Sequence, residues 1–225
     1  MSTFYVLGSG PTLDYVDPDF FIGSNVIAVN EAGQRLGLYD MRMNLHTFSH
    51  YHGSLHLADK YPSHQFHLPE GDRGFEGEPP AAGDNVTFYP HYPTVFDFDA
   101  SRRWPEGGIL VGSTSVHGAM HLACKLGASN IILVGVDCGL LDGKSNHGEY
   151  VSGNLANGDV LDWLARWDEH LRQVKNVLVD EYGVRVYSLN PFVNLNLEGH
   201  EWTAARRKQQ RGLCKTCGME CADLH

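Results

Sequence analysis

No apolar run in the sequence approaches the ~18 residues that a helix needs to span a bilayer, which argues against a membrane-spanning protein. The first residues carry neither the basic stretch nor the apolar core of a secretory signal, so we expect a cytoplasmic protein. Positive charge is scarce, because 17 Lys and Arg stand against 27 Asp and Glu in 225 residues. The net charge of −10 argues against a protein that grips nucleic acid unaided.

Two complete nucleotide-binding motifs are missing as well, the G-x-G-x-x-G pattern and the P-loop pattern G-x-x-x-x-G-K-[ST]. The sequence has instead a short apolar stretch at 4–6, followed by Gly8, Ser9, Gly10 and Pro11. This order is typical of a strand that turns through glycines into a helix, where backbone N–H groups favour phosphate. The segment predicts a nucleotide-binding turn, and the alternative is a turn with a structural role alone.

Strand and helix patterns alternate along most of the chain. Further strands are predicted at 25–30, 41–48, 131–137 and 184–187, and helices at 31–38, 116–126 and 160–181. Such alternation predicts a single Rossmann-like α/β domain over 1–200, with a mainly parallel sheet and helices on both faces. The stretch 50–108 is rich in Pro, Gly and His and is predicted to be an irregular insert with short elements.

Ligands of such sheets bind at the carboxyl ends of the strands, and several polar residues follow predicted strands there. Asn30 is a candidate for contact with a base or ribose, or else a local turn residue. Asp137 is a candidate for binding a ribose hydroxyl or a metal, and the alternative is a carboxylate that caps its loop. Ser113, Thr114 and Ser115 precede a helix and are candidates for phosphate binding, for helix capping, or for both.

Three histidines are candidates for a general base, because an imidazole titrates near neutral pH. His170 on the long amphipathic helix is the leading candidate, His147 in the Gly- and Asn-rich loop is its rival, and His117 is a third option. The alternative for each is an ordinary helix, loop or packing residue. A metal site is not favoured for the six histidines between positions 46 and 67, which are His46, His50, His52, His56, His64 and His67.

The last 25 residues, 201–225, have a different composition and are predicted to form a small appendage. A basic run at 206–215 precedes four soft metal ligands, which are Cys214, Cys217, Cys221 and His225. In a cytoplasmic chain this spacing favours a structural zinc knuckle over a disulfide, and the alternative is a reduced tail. The appendage is also a candidate for docking to a protein or a nucleic acid.

Several of these segments together resemble glycosyltransferase family 42, the bacterial sialyltransferases. The string at 8–13 is similar to that family's G-x-G-P-S-L opening, with Ser9 where the family has Asn, and the segments ending at Asn30 and at Asp137 resemble two of its strands. Residues 113–115 and 182–191 are similar to its T-S-G segment and its closing strand. The resemblance implies an inverting transferase that uses a CMP- or UDP-linked sugar, needs no metal for its chemistry and has a His base. That base aligns near Arg166, one turn before His170.

A second family shares part of this pattern, the 6-hydroxymethylpterin diphosphokinase-like proteins, which also have the G-x-G-P-S-L opening and a strand ending in G-V-D. That resemblance implies transfer of diphosphate from ATP with Mg²⁺, for which Asp137 and Asp142 are the candidate ligands. A third alternative is a nucleotide-binding or nucleic-acid adaptor without turnover. The acceptor of a glycosyltransferase, whether a glycan or a polymer such as nucleic acid, stays open, and a homo-oligomer is a candidate assembly.

Overall fold

In the computed structural model, the chain is built around one sheet. The structure describes residues 2–49, 51–71, 81–90, 108–110, 114–139, 141 and 159–189. The strands are β1 (Ser2–Leu7), β2 (Asn25–Val29), β3 (Asn44–Phe48), β4 (Gln65–Pro69), β5 (Val86–Tyr89), β6 (Ala128–Val134) and β7 (Arg185–Ser188). The helices are α1 (Ala32–Arg35), α2 (Leu55–Lys60), α3 (Ser115–Lys125) and α4 (Asp159–Tyr182), with 3-10 turns at Pro11–Tyr15, Pro18–Phe21, Leu38–Asp40 and His52–Ser54.

All neighbouring strands of the described sheet are parallel, and their order is β5-β4-β3-β2-β1-β6-β7. The chain therefore runs outward from β1 to β5 on one side and then returns to place β6 and β7 on the other side of β1. This reversal puts a topological switch point between β1 and β6, where ligands of open α/β sheets bind. The predicted α/β class with a parallel sheet is confirmed.

Each face of the sheet carries its own apolar core, so helices cover both faces as predicted. The first core joins the sheet to α3 and α4, and its buried helix residues include Met120, Ala123, Leu171, Val174 and Leu178. The second core joins the opposite face to α1, α2 and the 3-10 turns, and its buried residues include Leu13, Phe21, Leu38, Leu57 and Phe66. No helix within the described ranges is long and apolar enough to cross a membrane.

Glycines end the two long helices, as the sequence predicts. Gly127 follows α3 with φ +83° and Gly183 follows α4 with φ +65°, a left-handed conformation that glycine adopts without steric cost. The amide of Gly127 donates a hydrogen bond to the carbonyl of Cys124, which closes the last turn of α3. Both helices therefore end within one or two residues of the predicted position.

Two parts of the fold differ from the expectation. The stretch 50–108, predicted to be an irregular insert with short elements, contributes the short helix α2 and the two strands β4 and β5, which extend the main sheet. These strands are four or five residues long and carry polar residues such as His67 and Thr87, so they lack a continuous apolar run. The segment after the glycine turn is the five-residue 3-10 turn Pro11–Tyr15 and not the start of an α-helix.

Candidate functional site

The glycine turn after β1 packs directly against the chain that leaves β6. The amide of Gly8 donates a 2.9 Å hydrogen bond to the carbonyl of Val134, and the amide of Gly10 donates a 2.6 Å bond to the carbonyl of Gly135. A Cβ atom on Gly8 would lie 2.5 Å from the oxygen of Gly135. The two glycines therefore allow two backbone segments of the protein to approach each other, and these two amides are engaged within the protein.

Asp137 joins the same two segments through its side chain. It is 3% exposed, and its carboxylate accepts a 2.7 Å hydrogen bond from the amide of Thr12 and another from the Thr12 hydroxyl. Burial raises the pKa of Asp137 to about 6, although both bonds from Thr12 oppose the rise and the nearby Asp14 adds to it. Asp137 thus braces the glycine turn, and its contact with a ribose or a metal stays a prediction.

Thr12 is the residue of this brace that sequence reasoning missed. We expect Thr12→Val to lower the free energy of unfolding by about 2 kcal/mol at pH 7.5, because the buried carboxylate loses a hydroxyl donor. Thr12→Ser keeps the donor and should lose less than about 1 kcal/mol, the value of one buried methyl group. Urea titration of both variants measures the difference, and equal losses would show that the hydroxyl does not stabilise Asp137.

Asn30 follows β2 directly and has an unusual conformation. Its backbone is left-handed, with φ +53°, and its amide donates a 2.9 Å hydrogen bond to the carbonyl of Phe48 at the end of β3. Its side-chain Oδ1 atom is buried and accepts no hydrogen bond from the described residues. An unsatisfied buried acceptor costs about 1–3 kcal/mol, so this atom is suited to accept a hydrogen bond from an N–H or O–H group of a ligand.

The first turn of α3 lies near the same edge of the sheet. A Cβ atom on Gly118 would clash with the ring of Phe48, so the helix passes closely over the end of β3. Thr114 occupies the N-cap position with an extended backbone, but its side chain makes no capping hydrogen bond. Ser115 is buried in the first turn, and Ser113 lies outside the described residues. The structure therefore brings Thr114 and Ser115 to the carboxyl edge that also holds Asn30.

Two of the three candidate bases are close together. His117 on α3 is 1% exposed, and burial lowers its pKa to about 3, with a smaller contribution from the neighbouring His170. His170 on α4 is partly exposed, and its pKa is lowered mainly by burial and also by Arg166, while Glu169 opposes this. His170 is therefore neutral at pH 7, the state that a general base needs. His147 lies outside the described residues.

α4 brings a further charged pair to this region that sequence reasoning did not single out. The guanidinium of Arg172 donates hydrogen bonds to both carboxylate oxygens of Asp168, at 3.0 and 3.2 Å from Nη2 and 3.3 Å from Nε. Asp168 also contributes to the raised pKa of the Cys138 thiol, after burial, which is the largest cause. The D-x-x-x-R spacing places these two side chains on one helix face, so the sequence alone indicates that they can pair.

The structure describes several of the histidines between 46 and 67 but none of the predicted zinc ligands. Nδ1 of His46 and Nε2 of His67 are 3.0 Å apart across β3 and β4, which fits a hydrogen bond between the two rings. No group of three or more His, Cys, Asp or Glu side chains that could hold a metal occurs among the described residues. Cys214, Cys217, Cys221 and His225 lie outside the described part of the chain, as does Asp142.

Comparison with solved structures gives a distant structural neighbour. No protein-family model matches the sequence, and no curated protein matches it. Among solved structures, a mutant of the alpha-2,3/8-sialyltransferase CstII matches 88% of this chain and 89% of its own, with 14% identity and a TM-score of 0.43. This is a distant structural resemblance, and the functional argument therefore rests on the residues of this chain.

Proposed function

We propose that the protein is a glycosyltransferase that binds a nucleotide-sugar donor, CMP- or UDP-linked, at the carboxyl edge of β2, β1 and β6. The observation that carries this proposal is the buried Oδ1 atom of Asn30, which accepts no hydrogen bond from the described residues and follows β2, the neighbour of β1 in the sheet. A ribose hydroxyl or the amino group of a cytosine would satisfy this atom. The resemblance of the segment at 8–13 to the family 42 sialyltransferases supports the same assignment.

The chemistry would proceed with inversion at the anomeric carbon. The neutral imidazole of His170 takes the proton of the acceptor hydroxyl, and the acceptor oxygen forms a bond to the anomeric carbon. The bond between that carbon and the phosphate oxygen breaks, and the nucleotide leaves with the electron pair as a phosphate anion. Thr114 and Ser115 at the start of α3 would stabilise that negative charge, together with Ser113. The acceptor is a glycan or another polymer that carries hydroxyl groups.

The diphosphokinase alternative is less well supported by the described residues. That reaction needs carboxylates to hold Mg²⁺ at the phosphates. The carboxylate of Asp137 is instead hydrogen bonded to the amide and the hydroxyl of Thr12. ATP with Mg²⁺ therefore serves as the comparison ligand in any binding experiment on this protein.

Asn30 gives the sharpest test of the binding site. We expect Asn30→Ala to weaken nucleotide binding about tenfold, because a buried hydrogen bond to the ligand is worth about 1–1.5 kcal/mol. Asn44→Ala is the matched control, since Asn44 begins β3 at the opposite edge of the sheet and donates to the side chain of Asn25. Calorimetric titration with CMP and CDP measures both variants. Equal affinity in the two variants would contradict a nucleotide contact at Asn30.

His170 gives a separate test of the chemistry. We expect His170→Ala to lower kcat by about 10²–10⁴-fold, the usual contribution of a general base, with the KM for the donor changed by less than about threefold. His56→Ala is the control, because His56 is an exposed histidine on α2. The measurement is nucleotide release from CMP-sialic acid or UDP-sugars in the presence of acceptor. A variant with the full rate would exclude His170 as the base and leave His147 as the candidate.

A further inference from the structure

One face of the sheet carries exposed apolar side chains at β7. Val186 belongs to the core under α3 and α4, whereas the core of the opposite face contains, among the described residues, Val134 of β6 and none of β7. Side chains alternate along a strand, so Tyr187 lies on this second face. It is 38% exposed. Leu189, whose amide continues the ladder to the carbonyl of Leu133, is 44% exposed. Apolar groups of β7 therefore meet solvent.

These residues continue into an apolar row that crosses three strands. Tyr5 of β1 lies beside Ile132 of β6, and Ile132 lies beside Tyr187 of β7 in the parallel register. The ring of Phe20 stands edge-on to the ring of Tyr5, with 5.4 Å between their centroids, and Phe20 is 50% exposed. We call Phe20, Tyr5, Ile132, Tyr187 and Leu189 the open face. A contiguous apolar surface is typical of an interface with another molecule.

Opposite charges stand at the two ends of the open face. Asp19 is exposed and directly precedes Phe20, which packs over β1. Arg185 is exposed on β7, two residues before Tyr187 and on the same side of that strand. Among the described residues, neither the Asp19 carboxylate nor the Arg185 guanidinium has a hydrogen-bond or ion-pair partner. A surface with one acidic and one basic end is complementary to a copy of itself after a two-fold rotation.

We propose that the open face is the interface of a homodimer, in which two copies of the chain pack face to face about a two-fold axis. The rotation places Arg185 of each protomer against the partner's Asp19, so the interface contains two equivalent ion pairs. Phe20 and Tyr187 are removed from water between these pairs, and their burial supplies the affinity. The ion pairs specify the orientation of the two copies. The inference is independent of the proposed function, since no residue of the open face is assigned to the nucleotide site.

Sedimentation equilibrium of the full chain over a range of concentrations measures the dimer, and charge reversal tests the contact. We expect Arg185→Asp and Asp19→Arg each to raise the dissociation constant about tenfold or more, because each places like charges against one another. The double variant should return to within about threefold of the unmodified protein, since the reversed charges pair again. Asp59→Arg is the matched control and should dimerise normally, because Asp59 is an exposed residue of α2 outside the open face.

Tyr187→Asp tests the apolar part of the interface. We expect this variant to be monomeric, with the urea midpoint of the unmodified protein measured under conditions where that protein is also monomeric. An unmodified protein that is monomeric at every concentration would overturn the inference, and a lowered urea midpoint for Tyr187→Asp would then show that the chain itself covers this face. A dimer that tolerates both single charge reversals would overturn it by placing the interface elsewhere. A double variant that fails to restore the dimer would overturn the two-fold arrangement.

Discussion

Replacing Gly10 with alanine should lower the free energy of unfolding by about 3 kcal/mol, the upper range for overpacking a tightly packed site. A Cβ atom at this position would overlap the carboxylate of Asp137 and lie 2.7 Å from the carbonyl oxygen of Gly135. Neither neighbour can withdraw freely, because Asp137 is bound by Thr12 and Gly135 accepts the amide of Gly10. The backbone of Gly10 is ordinary, with φ −70° and ψ 159°, so the requirement is for space and not for conformation.

Gly23→Ala is the matched control for this prediction. Gly23 has φ +75°, and a Cβ atom there would meet nothing within 4 Å. Its replacement should cost about 1–2 kcal/mol, the penalty of a left-handed backbone alone. Urea unfolding at pH 7.5 compares the two variants. If Gly10→Ala proves no more costly than Gly23→Ala, the two turns at the switch point do not pack as the structure shows.

The second large effect is a steep loss of stability in mild acid. Five described histidines have a lowered pKa in the folded protein, mainly because of burial. The pKa is about 4 for His67 and about 3 for His117 and His121, and it is also lowered for His46 and His170. In the unfolded chain each has a pKa near 6.5. Their contribution to stability is therefore complete above pH 6.5 and is lost as the pH falls toward the folded values.

The pKa of Asp137 changes in the opposite direction on folding. The net dependence of the free energy of unfolding on pH is therefore the difference between the effect of the histidines and that of Asp137. Its pKa rises from 3.8 to about 6 on folding, so its contribution is present in acid and is lost as the pH rises through 6. Near pH 5 the unfolded chain binds about three protons on His67, His117 and His121, and the folded protein binds about one on Asp137. The difference of two protons corresponds to about 3 kcal/mol of stability lost for each pH unit, at about 1.4 kcal/mol per proton, and His46 and His170 act in the same direction as the other histidines.

Urea midpoints between pH 7.5 and pH 4.5 measure this slope. His46→Gln removes one of the five groups and should make the slope shallower, and His56→Gln, at an exposed position, is the matched control. A stability that is constant between pH 6.5 and pH 5 would contradict the burial of these rings. The slope is independent of any ligand and tests the fold alone.

The parts of the fold that the sequence predicts are those that depend on local pattern. Apolar runs such as β6, the helical spacing of α3, and the glycines at 127 and 183 all lie where the pattern indicates. β4 and β5 were missed because short strands with polar faces carry no periodic signal. Their place in the sheet depends on pairing with β3, which is a non-local interaction.

The candidate site also has a part that the sequence predicts and a part that it does not. The sequence indicates that Gly10, Asn30 and Asp137 lie at one edge, because they follow strands of a parallel sheet. It gives no sign that Thr12 braces Asp137, since these residues are 125 positions apart. The nearness of His117 and His170 and the bond from Leu110 to His121 depend likewise on how α3 and α4 pack. Contacts of this kind become visible only in three dimensions.

The most direct test of the proposed function is calorimetric titration of the full-length protein with CMP, CDP, UDP, CMP-sialic acid and ATP, each with EDTA and with Mg²⁺. We expect a pyrimidine nucleotide or its sugar conjugate to bind in EDTA, because the proposed contacts come from Asn30 and the start of α3. Binding of ATP alone, and only with Mg²⁺, would contradict the glycosyltransferase and favour the diphosphokinase. Binding of none of these ligands would contradict a nucleotide site at this edge of the sheet.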